Sequence, residues 1–196
     1  MLKGESNRRL ILQIIREEGP ISRAEIARRL HLSRPTASRI VDALEQYGLI
    51  TCTGKSQRTG GRLGELYSFR DDAGLVLGLE LGTREARIAI ANLNGEIVSR
   101  TSRTLSLEKR EQVLPQLDQL FKDATSHVAS SSILAAGVAV PGVVRISPVP
   151  GYVDSAKIFP GLNDRPLLSE LEKLFAVPIA MDNDVNLATV GECAAA

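Results

Sequence analysis

The chain has 196 residues, enough for one sizeable domain or two small ones. Its formal charge of +1 conceals a division: residues 1–70 carry 13 Lys and Arg against 7 Asp and Glu, a net of +6, while residues 71–196 carry 11 against 16, a net of −5. A basic head on an acidic body is the footprint of a nucleic-acid-binding module attached to something else. The start, MLKGESNRR, is polar and has no apolar core of the kind a signal peptide needs, so none is expected. The longest apolar run, Ile133 to Val144, is interrupted by Gly137, Pro141 and Gly142 and excludes a membrane span. Cys52 and Cys193 are far apart and fit no metal spacing, and His31 and His127 lack partners at ligand spacing. No metal and no cofactor are expected, and the expected home is a reduced cytoplasm.

Asn7 to Glu18 reads as a first helix, with Leu10, Ile11, Ile14 and Ile15 inward and Gly19-Pro20 as its stop. Two further helices follow at once. Ser22 is a good N-cap, Glu25 completes a capping box, and Ile21 can pack on Ile26 as a hydrophobic staple. Ile26, Ala27 and Leu30 make a narrow apolar stripe, His31-Leu32 forms the turn, and Ser33 caps the next helix. There Ala37, Ile40, Val41 and Leu44 share one face, Pro35, Ser38, Arg39 and Asp42 the other, and Gly48 ends it. A polar helix start carrying Arg34, Thr36, Ser38 and Arg39 suits insertion into a major groove. The same residues also suit an ordinary helical hairpin with a solvated charged face.

Leu49 to Thr53 and Glu65 to Phe69 alternate as strands. Between them GKSQRTGGRLG cannot be buried. It reads as a wing, with Arg58 and Arg62 flanking Gly60-Gly61 where backbone and guanidinium can approach a narrow groove, or as a functionless charged loop. Arg70 to Ala73 is a short charged linker. Leu75 to Leu81, Ala86 to Leu93 and Glu96 to Thr104 follow as strands, the last two joined at Asn94-Gly95. Glu111 to Val128 reads as a helix with Val113, Leu114, Leu117, Leu120 and Phe121 inward, and Ile133 to Val140 as a buried strand. Val143 to Asp164 is loop-rich, Asp164 can cap a helix from Arg165 to Phe175, Val177 to Met181 is a strand, and a last helix begins at Val185. A meander followed by alternating strands and helices predicts an α/β domain on a mixed sheet.

The head, followed by GLELGTREARIAIANLNGEI, GVAVPGVV and PLLSELEKLFAVPIAMDNDVNLATVGE, resembles the ROK family over essentially the whole chain. That family holds sugar-responsive repressors and sugar kinases. The resemblance implies two domains, α+β and α/β: a winged helix-turn-helix over residues 1–70, then the first lobe of an actin-like (ribonuclease-H-like) ATPase fold over residues 74–196. The family's Asn-Asp pair, which hydrogen-bonds sugar hydroxyls and supplies the kinase general base, corresponds to Asn183 and Asp184 in the DNDVN box. Gly142 lies in the family's second glycine segment near the sugar. A carboxylate beside amides can grip vicinal hydroxyls, but the same residues can simply cap a helix.

The first glycine loop departs from the family's kinases, which read Gly-x-Asp-x-Gly-Gly-Thr-Lys. Here GLELGTRE puts Glu80 for Asp, Thr83 for the second Gly, Arg84 for Thr and Glu85 for Lys. A phosphate cradle needs bare backbone N–H groups and gains from a cation, so ATP is not expected. The family continues with a His/Cys zinc motif and a second lobe, whereas this sequence stops at Ala196 inside a predicted helix. The expectation is a fragment or shortened product with exposed apolar surface, associating as a homodimer or with a complementary chain, its sugar response weak.

The function expected is a repressor of sugar-metabolism genes that binds a double-stranded operator and takes a sugar or sugar-phosphate effector. Ser33, Arg34, Pro35, Thr36, Ser38 and Arg39 would read the DNA. Arg58, Gly60, Gly61 and Arg62 would hold the minor groove or backbone, and Gly142, Asn183 and Asp184 would contact the effector. The alternative is a ROK-type, ATP-dependent sugar kinase with an added head.

Overall fold

The computed structural model describes residues 3–55, 64–82, 85–106, 109–145, 151–154 and 160–195. The chain divides into two compact units, Met1–Ala73 and Gly74–Ala196, each with its own core.

The first unit opens with α1, Lys3–Glu18. The helix starts four residues before the Asn7 indicated by periodicity, because its first turn holds no apolar residue to mark it. Gly19 follows so closely that a Cβ there would lie 2.5 Å from the Ile15 carbonyl oxygen. A two-residue strand, β1 (Ile21–Ser22), precedes α2 (Arg23–Arg29) and α3 (Arg34–Gln46). Ser22 Oγ accepts the Glu25 N–H and Ser33 Oγ the Thr36 N–H, each at 3.3 Å, so both helices begin at the expected caps. His31 turns the chain between them with φ 51°.

β2 (Ile50–Lys55) and β3 (Glu65–Phe69) pair antiparallel, Ile50 opposite Phe69 and Lys55 opposite Glu65. β1 adds to the far side of β3, Ile21 opposite Tyr67, giving the order β1-β3-β2. Two residues are too few to alternate, so β1 leaves no trace in the sequence pattern. Ile21 and Ile26 enter one core with Ile11, Ile15, Ile40 and Tyr67. A fully buried Ile contributes roughly 1.5–3 kcal/mol. Three helices and this sheet make a winged helix-turn-helix.

The second unit is a five-stranded mixed sheet in which Ile179–Asn183, Ile133–Val140, Leu75–Leu81, Glu85–Asn92 and Ile97–Thr104 lie side by side in that order. β4 (Leu75–Leu81), β5 (Glu85–Asn92) and β6 (Ile97–Thr104) form the antiparallel meander. α4 (Arg110–Ala124) leads to β7 (Ile133–Val140), which lies parallel to β4. α4 ends four residues before the predicted Val128; Thr125 closes it, its hydroxyl donating to the Phe121 carbonyl at 2.8 Å. A small hairpin of β8 (Val143–Arg145) and β9 (Tyr152–Asp154) occupies part of the stretch read as loop.

α5 (Leu167–Phe175) then leads to β10 (Ile179–Asn183), parallel to β7, and α6 (Asp184–Ala195) follows directly. Asp164 does not cap α5. It sits at φ 49° and its carboxylate takes Arg145 at 3.3 Å. Arg165, buried, pairs with Glu170 and donates to the Arg110 carbonyl at 2.6 Å, tying the starts of α4 and α5 together.

Alternation in the strands sends Leu77, Leu79, Ile88 and Val138 into one core with Val113, Leu117 and Leu171 of the helices. The opposite sheet face carries small residues, Gly78, Ala89, Gly137 and Ala139, beneath an open cleft of about 710 Å³. The whole second unit is the first lobe of an actin-like fold.

Candidate functional site

The first candidate surface is the start of α3. Ser33, Arg34, Pro35 and Arg39 are exposed, and Thr36 and Ser38 half-buried. Ser33 and Thr36 hydroxyls lie 2.8 Å apart, so the cap also fixes the Thr36 side chain. Ala37, Ile40, Val41 and Leu44 are buried on the opposite side. The predicted readers therefore occupy one exposed stretch over the first two turns. Arg58, Gly60, Gly61 and Arg62, the predicted wing-tip contacts, lie outside the described residues.

Arginine pairing separates the two helices of the motif. All three arginines of α2 are engaged: Arg23 with Asp42, Arg28 with Glu25 (Nε to Oε2 3.0 Å), and Arg29 with Glu18 and Glu25. Among the described residues neither arginine of α3, Arg34 nor Arg39, makes an ion pair or side-chain hydrogen bond. Two uncommitted guanidiniums at a helix start, beside hydroxyls, can contact phosphates and base edges.

Arg23 and Tyr67 were invisible to sequence reasoning. Arg23 Nε donates to Tyr67 Oη at 3.0 Å, and its guanidinium carbon lies 4.9 Å from the Tyr67 ring centroid. Burial pushes the Tyr67 hydroxyl pKa up, and the hydroxyl donates to Glu65 at 2.8 Å. Asp42, placed by periodicity on the face away from the core, is exposed there and pairs with Arg23.

The second candidate site is the junction of β10 and α6. Asn183 and Gly142 meet directly: the Asn183 Nδ2 donates to the Gly142 carbonyl at 2.8 Å, and its Oδ1 accepts the Val185 N–H at 2.9 Å. Gly142 has φ 119°, a conformation that suits glycine at this turn. Asp182 Oδ1 accepts from Asn186 Nδ2 (3.0 Å) and from the Asn183 N–H (2.7 Å), and these two bonds, the Asn186 amide first, hold its carboxyl below the usual range. Asp184 Oδ1 accepts the Val185 N–H at 2.9 Å. The box thus caps its own helix.

Asp184 also lines a cleft of about 790 Å³ with Glu80, Glu85, Arg87, Thr104 and Leu105. Arg87 is held there by Glu85 and, at 3.4 Å, by Glu80. Glu80 and Arg87 are directly opposed across β4 and β5. Arg87 was missed in the sequence because that register cannot be read from either strand alone. Thr83 and Arg84 of the same loop lie outside the described residues.

Residues 76–196 match the family model described as ROK family. The chain belongs to the ROK family. Residues 5–51 match the model described as winged helix-turn-helix DNA-binding. The chain is 27% identical over 191 residues to the xylose repressor of Caldicellulosiruptor bescii, covering 95% of this chain and 47% of that protein. It is 26% identical over 191 residues to the xylose repressor of Bacillus subtilis, covering 95% and 48%. The chain spans about half the length of the curated relatives it matches. Its fold matches the crystal structure of a ROK family transcriptional regulator described as a homolog of the E. coli MLC protein. That match has a TM-score of 0.74 at 20% identity, over 92% of this chain and 46% of that one. This ROK chain thus pairs a DNA-binding type of head with a ROK lobe, and no helix among the described residues is long and apolar enough to cross a membrane.

Proposed function

We propose that the chain is a cytoplasmic DNA-binding transcriptional regulator, a repressor of sugar-metabolism genes. The observation that carries the reading is the start of α3, where Arg34 and Arg39 stand exposed and uncommitted while every arginine of α2 is paired. In a major groove the helix start meets phosphate, Ser33 and Thr36 take backbone oxygens, and Arg34 and Arg39 reach guanine edges with Pro35 and Ser38 beside them. Arg58, Gly60, Gly61 and Arg62 hold the minor groove or backbone at the wing. The relatives named as xylose repressors support sugar-metabolism genes as the target.

Gly142, Asn183 and Asp184 form the effector contact for a sugar or sugar phosphate. Asn183 spends its amide on Gly142 and Val185, so Asp184 is the freer partner. Association with a second copy or a complementary chain accompanies the regulator's action on its operator. The kinase alternative is disfavoured by the cleft. Glu80, Glu85 and Asp184 outnumber Arg87, whose charge two of them already balance, so a nucleotide's phosphates would meet repulsion.

The test is selection of duplexes from a random pool, then titration of the selected duplex and a scrambled one at one salt concentration. The selected duplex should bind at least ~10³-fold more tightly. Equal affinity for the two would remove the regulator reading.

A further inference from the structure

We propose that Arg23 is a positioning residue for DNA reading: by holding Asp42 it leaves Arg39 free to contact DNA. The proposal rests on the regulator reading above. Arg39 and Asp42 are three residues apart on the exposed side of α3, a spacing at which opposite charges on a helix pair with each other. Asp42 is 60% exposed, so burial does not keep it from Arg39. Yet Asp42 pairs with Arg23 of α2, and Arg39 has no partner among the described residues.

The reason is preorganisation. Arg23 is anchored on Tyr67, itself 1% exposed, by a 3.0 Å hydrogen bond and by stacking 4.9 Å from the ring centroid. Glu45 and Glu65 each lie 3.9 Å from the same guanidinium nitrogen and add to its anchoring. Its guanidinium therefore meets Asp42 with little rotamer freedom left to lose, whereas Arg39 would have to surrender its own. The pair does two things for the reading face. It offsets part of the charge of a carboxylate on the side of α3 that carries Arg39, and it removes the internal competitor for Arg39. Without the Arg23 charge, Asp42 turns to Arg39 and takes a cation away from the DNA.

Four full-length proteins separate this from a merely structural role: the parent, Arg23→Gln, Asp42→Asn and the double variant. Each is titrated with the selected duplex and its scrambled control at one salt concentration, with folding checked by circular dichroism. Arg23→Gln should weaken binding to the selected duplex about twofold, the most that an exposed pair three residues apart on a helix can compete with DNA for Arg39. Asp42→Asn should bind at least as tightly as the parent. The double variant should bind as tightly as Asp42→Asn alone, since no carboxylate then remains to capture Arg39.

If Arg23 were only a strut between the hairpin and the helices, Asp42→Asn would lose affinity as well and the double variant would be no better. Either result overturns the proposal, as does unchanged affinity in Arg23→Gln. Should Arg23→Gln fail to fold, Asp42→Asn decides alone, because it leaves the Tyr67 anchor intact: retained or tighter binding supports the proposal and weaker binding overturns it. A parent that does not prefer the selected duplex defeats the regulator reading itself, and this inference with it.

Discussion

At the scale of single residues, commitment matters more than charge. Arg23, Arg28 and Arg29 carry the same charge as Arg34 and Arg39, but each is satisfied within the protein. Pairs as exposed as Arg28–Glu25 add little to helix stability, so their main effect is to engage those cations within the protein. The uncommitted Arg39 is where a substitution should register in function and not in folding. Arg39→Ala should cost roughly 1–3 kcal/mol at the selected duplex if it contacts a base, with little change in thermal stability. Operator titration beside a melting curve checks both halves. Unchanged affinity for selected and scrambled DNA alike would take Arg39 off the reading surface.

At the scale of elements, the proposed DNA contacts divide between the helix-turn-helix and the wing. α3 offers hydroxyls and guanidiniums at fixed positions on a capped helix, which suits sequence reading. The wing is a hairpin rooted by the Ile50–Phe69 and Lys55–Glu65 pairs and braced by β1 on its other side. Its glycines and arginines suit phosphate and minor-groove attraction, which carries little sequence information. The double variant Arg58→Ala/Arg62→Ala should therefore weaken selected and scrambled duplexes by similar factors. It should also lower the slope of log affinity against log salt by about 2, near one unit for each lost phosphate contact. A slope equal to the parent's would make the wing a bystander.

At the scale of the molecule, an actin-like lobe is joined to a DNA-binding type of head, and a fold of this kind does not by itself specify phosphoryl transfer. The chemistry of the cleft has to decide. Phosphoryl transfer depends on positioning the nucleotide phosphates and neutralising their charge. The cleft beside Asp184 offers Arg87 already engaged by Glu85 and Glu80. Incubation with ATP, magnesium and a panel of hexoses should give no ADP above background. Turnover that vanishes in Asp184→Asn would instead establish the kinase alternative.

Much of this molecule was legible in the sequence because its signals are local. The caps Ser22 and Ser33, the buried face of α3 and the alternation of β4 and β5 all depend on residues a few positions apart. The order of the longer strands and helices followed from the same short-range patterns, β1 and the β8–β9 hairpin did not, and the resemblance of the DNDVN box supplied Asn183 and Asp184. What only the tertiary structure decided involves partners distant along the chain. Arg23 meets Asp42 and Tyr67, 19 and 44 residues away. Asn183 meets Gly142 across 41 residues, and Glu80 faces Arg87 through a strand register. Such pairs depend on how elements pack and slide against one another. A helix face shows which side chains are exposed, but only the packed neighbours determine which of them are still free to bind.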